Sequence, residues 1–389
     1  MSKEKKDRIG LALSGGGVRA AAFHSGVLLY LAEKNKLELV NHISSVSGGS
    51  LFTGLVFNIN NSKWPSSKEY IDKVFPQINN IFTTTSLQFK TIIYSLFNPF
   101  NWKFLFSRAN VVALTIEKEW NIRSTLNDLP KKPLWSINGT TWENGLRFRV
   151  KGKEIGDYEL GYANMPDYKL SNAMAMSAAF PFGIGPISLK INKLKWRKKL
   201  NWNSNQFIEN YKPPFKKLHL YDGGVYDNLG LEPLFDSGKQ IIKKESAVDM
   251  IVVSDASSLL TKESIPHLLN PKRAVRVVNM ILSQVRSLRV RSFNNFLINN
   301  PGTGFYFLIG TYPEELIKKF QKANLTAAKK LLRYKWLSGE DIKMAAGYKT
   351  TLKKMISKEF DIISRHGYET AKWNVELFYN DFINQNRKK

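Results

Sequence analysis

The chain contains no cysteine in 389 residues, which excludes disulfides, thiolate nucleophiles, iron–sulfur clusters and zinc sites built on Cys. It is also short of acid, with 32 Asp and Glu against 58 Lys and Arg and a formal net charge of +26. An excess of that size, spread along the chain, suits an anionic partner, either nucleic-acid phosphates or an acidic membrane surface. No apolar run reaches the roughly 18 residues that a transmembrane helix needs. The apolar run at 9–13, after the charged start, is too short for the core of a secretory signal. The expectation is a cytoplasmic protein that visits a membrane peripherally. Apolar and aromatic residues, by contrast, are plentiful at 43% and 12%, which excludes wholesale disorder and allows a sizeable core.

The N-terminal part is the most regular. Residues 9–13 suit a buried parallel strand, and Ser14-Gly15-Gly16-Gly17 breaks it. Residues 18–36 then carry helical spacing at Ala20, Phe23, Val27 and Leu31. A second strand at 43–46 ends in Ser47-Gly48-Gly49-Ser50, and 51–57 restarts as an apolar helix. Right-handed crossovers put both turns at the carboxyl edge of one parallel sheet, where open α/β folds bind ligands. Further strands are expected at 133–138, 146–150, 250–253 and 304–310, with a helix at 170–179. Residues 58–130 lack clear alternation and read as a cap-like insertion. The division is a charged tail at 1–7, a main domain at 8–312 and a helical extension at 313–389.

Three short motifs could carry chemistry. Gly15-x-Gly17-x-x-Ala20 fits a dinucleotide fingerprint, with Glu33 and Glu38 near the spacing of a ribose-binding acid. The same glycines could instead expose backbone N–H groups at a helix N-terminus as an oxyanion hole, beside the positive charge of Arg19. Ser47 sits where a nucleophile elbow belongs, at a sharp strand-to-helix turn flanked by small residues, with Ser45 where that elbow usually has glycine. A plain phosphate-binding or packing turn is the alternative. A serine nucleophile needs a base, and His219, His267 and His366 follow it without occupying a convincing loop after a strand. Asp222-Gly223-Gly224 is the better candidate, because a carboxylate on a glycine turn can approach another turn closely. An ordinary Asp-Gly turn is its bland reading.

Together, Gly15-Gly16-Gly17-x-Arg19, the Ser47 elbow and the distant Asp222-Gly223-Gly224 closely resemble the patatin-like phospholipase family, of bacterial type. The segments 134–148 and 171–181 are similar to the family's strand pair and to its helix ending in Ser-x-Ala-x-Pro. The resemblance covers roughly residues 8–255. It implies a three-layer α/β/α fold with a mostly parallel central sheet. It also implies a lipid acyl hydrolase of phospholipase A or lysophospholipase type, with Ser47 as nucleophile and Asp222 as general base. Gly15, Gly16, Gly17 and Arg19 would form the oxyanion hole, and Ser45, Gly48, Gly49, Gly223 and Gly224 would support the two turns. No cofactor and no metal are implied. Phospholipid is the implied substrate and an anionic membrane surface the implied partner.

A non-catalytic membrane- or nucleic-acid-binding protein would also use the charge, but it leaves both turns without a role, and no named nucleic-acid motif is present. Oligomeric state is not legible. Residues 94–106 and 193–199 have the aromatic and basic mix of interfacial elements, with cap core and a solvated hairpin as alternatives. The arginine-rich segment 271–293 is read as a charged solvent face, with a further surface-binding helix as the alternative, and His24 as a packing residue, with a part in shaping an acyl pocket as the alternative.

Overall fold

A computed structural model describes residues 8–97, 108–181, 183–201, 204, 206–258, 260, 262–267, 270 and 272–378. The tail at 1–7, the basic end at 387–389 and most of the aromatic stretch at 94–106 lie outside the described residues.

The chain opens with strand β1 (Ile9–Leu13), helix α1 (Gly17–Glu33), β2 (Val40–Ser45) and α2 (Gly48–Ile59). The insertion that showed no alternation is helical, with α3 (Ser67–Glu69), α4 (Phe75–Thr84), α5 (Leu87–Phe97) and α6 (Ala109–Glu119). Next come β3 (Leu134–Thr141), β4 (Arg147–Lys151), β5 (Glu154–Asp157), β6 (Gly161–Asn164) and α7 (Leu170–Ser177). β7 (Ile187–Lys190), β8 (Trp196–Lys199), β9 (Phe207–Tyr211) and β10 (Lys217–Asp222) lead to the short helix α8 (Gly224–Asp227). A two-stranded ribbon of β11 (Phe235–Asp236) and β12 (Ile241–Ile242) precedes β13 (Met250–Asp255), the long helix α9 (Lys272–Asn299) and β14 (Gly304–Leu308). The end of the chain is helical through α10 (Pro313–Phe320), α11 (Leu325–Leu331), α12 (Gly339–Gly347) and α13 (Ser357–Phe378).

The central sheet runs β14-β13-β1-β2-β3 with every pairing parallel. Beyond β3 it continues through β4, β5, β6, β8 and β9 as an antiparallel wing. Burial explains the contrast. β1 and β13 are buried at every position, as expected of a parallel sheet covered on both faces. On one face Leu11, Leu13, Val252 and Phe305 pack with Phe23, Leu28 and Leu31 of α1 and with Ile363 and Val375 of α13. On the other, Ala12, Ile251 and Val253 pack with Leu229, Leu234, Phe293 and Phe296. The period-2 alternation of a strand thus feeds two separate cores and builds the three layers of the expected α/β fold. β9, in the wing, has no buried residue.

One detail of the sheet positions everything else. β2 pairs with β3 only as far as Ser45 opposite Ile137, and β10 takes over antiparallel from Asp222 opposite Gly139. Since β4 holds the other edge of β3 across these positions, β2 and β10 meet end to end at Asn138. Their carboxyl ends converge there.

Candidate active site

Ser47 follows β2 with φ 50° and ψ −119°, a left-handed conformation that non-glycine residues rarely adopt. The turn is held by its main chain. The Ser47 N–H donates to the Ser177 carbonyl (3.1 Å) and Oγ (3.0 Å), while Ser50 and Leu51 N–H groups donate to the Ser47 carbonyl (2.9 and 3.0 Å). Gly48 and Gly49 open α2, and a Cβ on Gly48 would collide with the carbonyl of Gly17. Ser45, the departure from the usual elbow glycine, is fully buried. Its Oγ lies 2.8 Å from Ser50 Oγ and accepts from Trp135 Nε1 (2.8 Å). The extra hydroxyl is therefore absorbed below the turn, away from its crowded tip.

Asp222 ends β10. Its N–H donates to the Ala179 carbonyl (3.0 Å), its carbonyl accepts from Thr140 Oγ1 (2.9 Å), and its Oδ1 accepts from the Gly224 N–H (2.7 Å). Gly223 packs against the Asn138 carbonyl with no room for a side chain. The Ser47 side chain lies close enough to the carboxylate to favour its charged form, as the Gly224 N–H does, but burial outweighs both and pushes its pKa up to about 7. The two candidate residues are thus brought together, although 175 positions separate them (222 − 47). Ser177 ties both turns together, since its carbonyl also accepts from the Gly223 N–H and its Oγ donates to the Asn138 carbonyl (2.7 Å).

The glycine loop after β1 faces this pair. Gly16 and Gly17 have φ 145° and 61°. The Gly15 N–H donates to the Asn228 carbonyl (3.0 Å), and Val18 N–H to the Thr351 carbonyl (3.0 Å). Among the described residues no acceptor takes the Gly16 or Gly17 N–H. This corrects the expectation for Gly15, whose donor is already spent inside the protein; Gly16 and Gly17 are the open donors. Arg19 also differs from a simple oxyanion ligand. It is buried, donates through Nε and Nη2 to the Ala256 carbonyl (3.0 and 2.9 Å) and through Nη1 to the Tyr348 carbonyl, and so clamps two loops around the helix N-terminus. Desolvation lowers its pKa to about 10.

Sequence reading placed Ser177 in the motif that ends its helix without giving it a role, and missed Asn228 and the strap at 348–352. Asn228 fills the space between Gly15 and Gly224, and its Nδ2 donates to Ser257 Oγ (2.8 Å). The strap gives Thr351 to the α1 N-terminus, and its Leu352 carbonyl accepts from the Gln88 N–H of α5 (3.0 Å). No local pattern marks such long-range contacts.

Among the described residues no histidine lines the cleft. His219 lies in β10 with its Nδ1 2.8 Å from Glu143. His366 accepts from the Gly310 N–H (2.8 Å), and His24 is buried between Ser254 Oγ (2.7 Å) and the Ser14 carbonyl (2.9 Å). Burial lowers both His24 and His366 to about 4, so they are neutral supports. Nor does any group of Asp, Glu and His suited to hold a metal occur among the described residues.

Ser47, Asp222, Gly16 and Gly17 open into a cleft of about 1120 Å³. Ile92, Leu96, Val112, Phe180, Ile184 and Leu352 give it apolar walls, and Arg108 and Lys349 stand on its lining. A hydroxyl beside a buried carboxylate, free N–H donors and an apolar trough make an arrangement able to bind and cleave a long-chain ester.

A family model described as patatin-like phospholipase matches residues 11–235. No curated protein matches. Among solved structures, human GIVD cytosolic phospholipase A2 is similar with a TM-score of 0.51 and 13% identity, over 96% of this chain and 59% of that one. The same human enzyme in complex with methyl gamma-linolenyl fluorophosphonate gives a TM-score of 0.48 and 12% identity, over 96% and 58%. The chain therefore spans under two thirds of the length of these relatives in fold.

Proposed function

Since this chain belongs to the patatin-like phospholipase family, we propose that it is a serine lipid acyl hydrolase of phospholipase A or lysophospholipase type, working through Ser47 and Asp222. The observation that carries the reading is the buried Asp222 carboxylate beside the Ser47 side chain at one cleft, with its pKa pushed to about 7. A carboxylate near its ordinary value of about 4 would be a weak base toward a hydroxyl, and desolvation makes it a stronger one.

Ser47 Oγ attacks the ester carbonyl carbon while its proton passes to Asp222. Gly16 and Gly17 N–H groups receive the oxyanion, each such donor being worth on the order of 3 kcal/mol. The intermediate collapses to an acyl-enzyme, and the leaving alcohol takes the proton from Asp222. Water then attacks the acyl carbonyl, giving a proton to Asp222, and Ser47 recovers its own as the fatty acid leaves. Ile92, Leu96, Val112 and Phe180 hold the acyl chain. The substrate is a membrane phospholipid acyl ester, met at an anionic membrane surface to which the net charge of +26 is suited. The location that goes with it is cytoplasmic and peripheral. In the described residues, no helix is long and apolar enough to cross a membrane.

The test is fatty-acid release from anionic phospholipid vesicles, with fluorophosphonate labelling in parallel, for wild type, Ser47→Ala and Asp222→Ala. Release and labelling by wild type, both lost in Ser47→Ala, are expected. A wild type that neither labels nor releases would point to a lipid- or nucleic-acid-binding protein instead.

A further inference from the structure

Helix α9 carries large apolar side chains on its outer side as well as on its core side. Over 28 residues only Phe293 and Phe296 are buried, both near its C-terminal end. Its earlier turns form a wall of the cleft, to which it turns Arg276, Asn279, Leu282, Ser283 and Arg286. Val277, Ile281, Gln284 and Leu288, spaced four, three and four apart, make a stripe on the opposite side. Ile281 and Leu288 are 57% and 61% exposed. An ordinary surface helix keeps its apolar stripe on the core side, whereas α9 has Val290, Phe293, Phe296 and Leu297 there and further apolar side chains in solvent.

Exposed apolar side chains recur beside the cleft. α5 sends Thr91, Ile92, Ser95 and Leu96 to the cleft and leaves Phe89 and Phe97 exposed, Phe97 at 80%. Ile265, near the cleft residues Leu260 and Glu263, is 75% exposed. Charge identifies what covers these side chains. α9 has six Lys and Arg and no Asp or Glu. Arg276, Arg286 and Arg289 are paired with Glu263, Asp255 and Glu232, whereas Lys272, Arg273 and Arg291 have no ion pair among the described residues. A second copy seated on this stripe would bring cations against cations. An anionic bilayer offers both apolar depth and negative headgroups.

We propose that the outer face of α9, with Phe89, Phe97 and Ile265, is the surface on which this protein sits on an anionic phospholipid bilayer, bringing the lipid to elements that border the cleft. The inference rests on the lipid-hydrolase reading for its purpose but not for its physics. The antiparallel wing, with Lys193 and Lys195 exposed, is the rival face.

Sedimentation with vesicles tests it in a Ser47→Ala background, so that binding is read without turnover. Vesicles of phosphatidylcholine with an equal part of phosphatidylglycerol should carry the protein down, and phosphatidylcholine alone should not. Ile281→Glu with Leu288→Glu should weaken the binding about tenfold or more, because each change forfeits the burial of a large aliphatic side chain. In the Ser47 protein the same pair should leave hydrolysis of a soluble short-chain ester unchanged. Undiminished binding by the double variant would overturn the proposal. So would loss of binding in Lys193→Glu with Lys195→Glu, or a dimer that the α9 changes convert to monomer. Failure of the Ser47 protein on the soluble ester, with vesicle binding intact, would overturn the hydrolase reading alone.

Discussion

The elbow region and the rim formed by α5 and α9 border the same cleft and obey opposite rules. Around Ser47 and Asp222 nearly every polar atom has a partner. Ser177 joins both turns, Asn138 Nδ2 donates to Ser44 Oγ (3.0 Å) and the Ser45 carbonyl (2.9 Å), and Thr140 holds Asp222. On the rim, large apolar side chains such as Phe89, Phe97, Ile281 and Leu288 face water. The difference teaches that chemistry and access are separate constructions. The first is preorganised within the fold, as a site needing fixed geometry must be. In the proposed docking, the second is completed when an anionic bilayer covers it.

The sharpest break of that contrast is Asp222→Asn. It should lower kcat by about 100- to 10,000-fold on soluble ester and vesicles alike, as loss of a general base does. It should also raise Tm at pH 8. The folded carboxyl has its pKa pushed up to about 7, above the unfolded value of about 4. Burying its charge therefore costs stability in full above pH 7 and nothing below about pH 4. The gain in Tm should disappear at low pH, which calorimetry at two pH values checks.

Gly17→Ala should come next, with soluble-ester activity falling on the order of 10- to 100-fold, equivalent to losing part of one oxyanion donor. A Cβ there meets the Thr351 main chain at a φ of 61°, so the loop must shift. Rim changes such as Phe89→Asp should be smaller and selective, lowering vesicle turnover by about tenfold and leaving soluble-ester turnover alone. An equal loss on both substrates would erase the distinction between site and rim. Smallest in activity is Ser45→Gly, expected within a few-fold of wild type. It leaves the buried Trp135 Nε1 without its acceptor, so denaturant melts should show a loss of about 1–3 kcal/mol. A gain in stability would mean that the serine strains the elbow.

How much of this was legible in the sequence follows from how local each signal is. The elbow, the glycine loop and the Asp222 turn each write their geometry into a few adjacent residues, and β1, α1, β2 and α2 carry clear periodicity. The pairing of Ser47 with Asp222 came through the family resemblance, and the physical reason appears only in three dimensions, where β2 and β10 end on one edge of β3. Asn228 and the strap at 348–352 act through main-chain contacts and short polar side chains that no spacing rule marks. Residues 58–130 hid four helices because several of their apolar positions face outward. The segment 271–293 was read as a charged solvent face. Composition gave its charge correctly but could not say that Arg276 and Arg286 line the cleft while Ile281 and Leu288 stand in solvent.

The account rests on Asp222 activating Ser47, and the rate of fluorophosphonate labelling as a function of pH measures that step most directly. With the modified residue located by mass spectrometry, wild type should label at Ser47. The rate should rise through about pH 7 as Asp222 loses its proton, and Asp222→Asn should be slow and flat across the range. Labelling at another serine, or an Asp222→Asn protein that labels as fast as wild type, would contradict it.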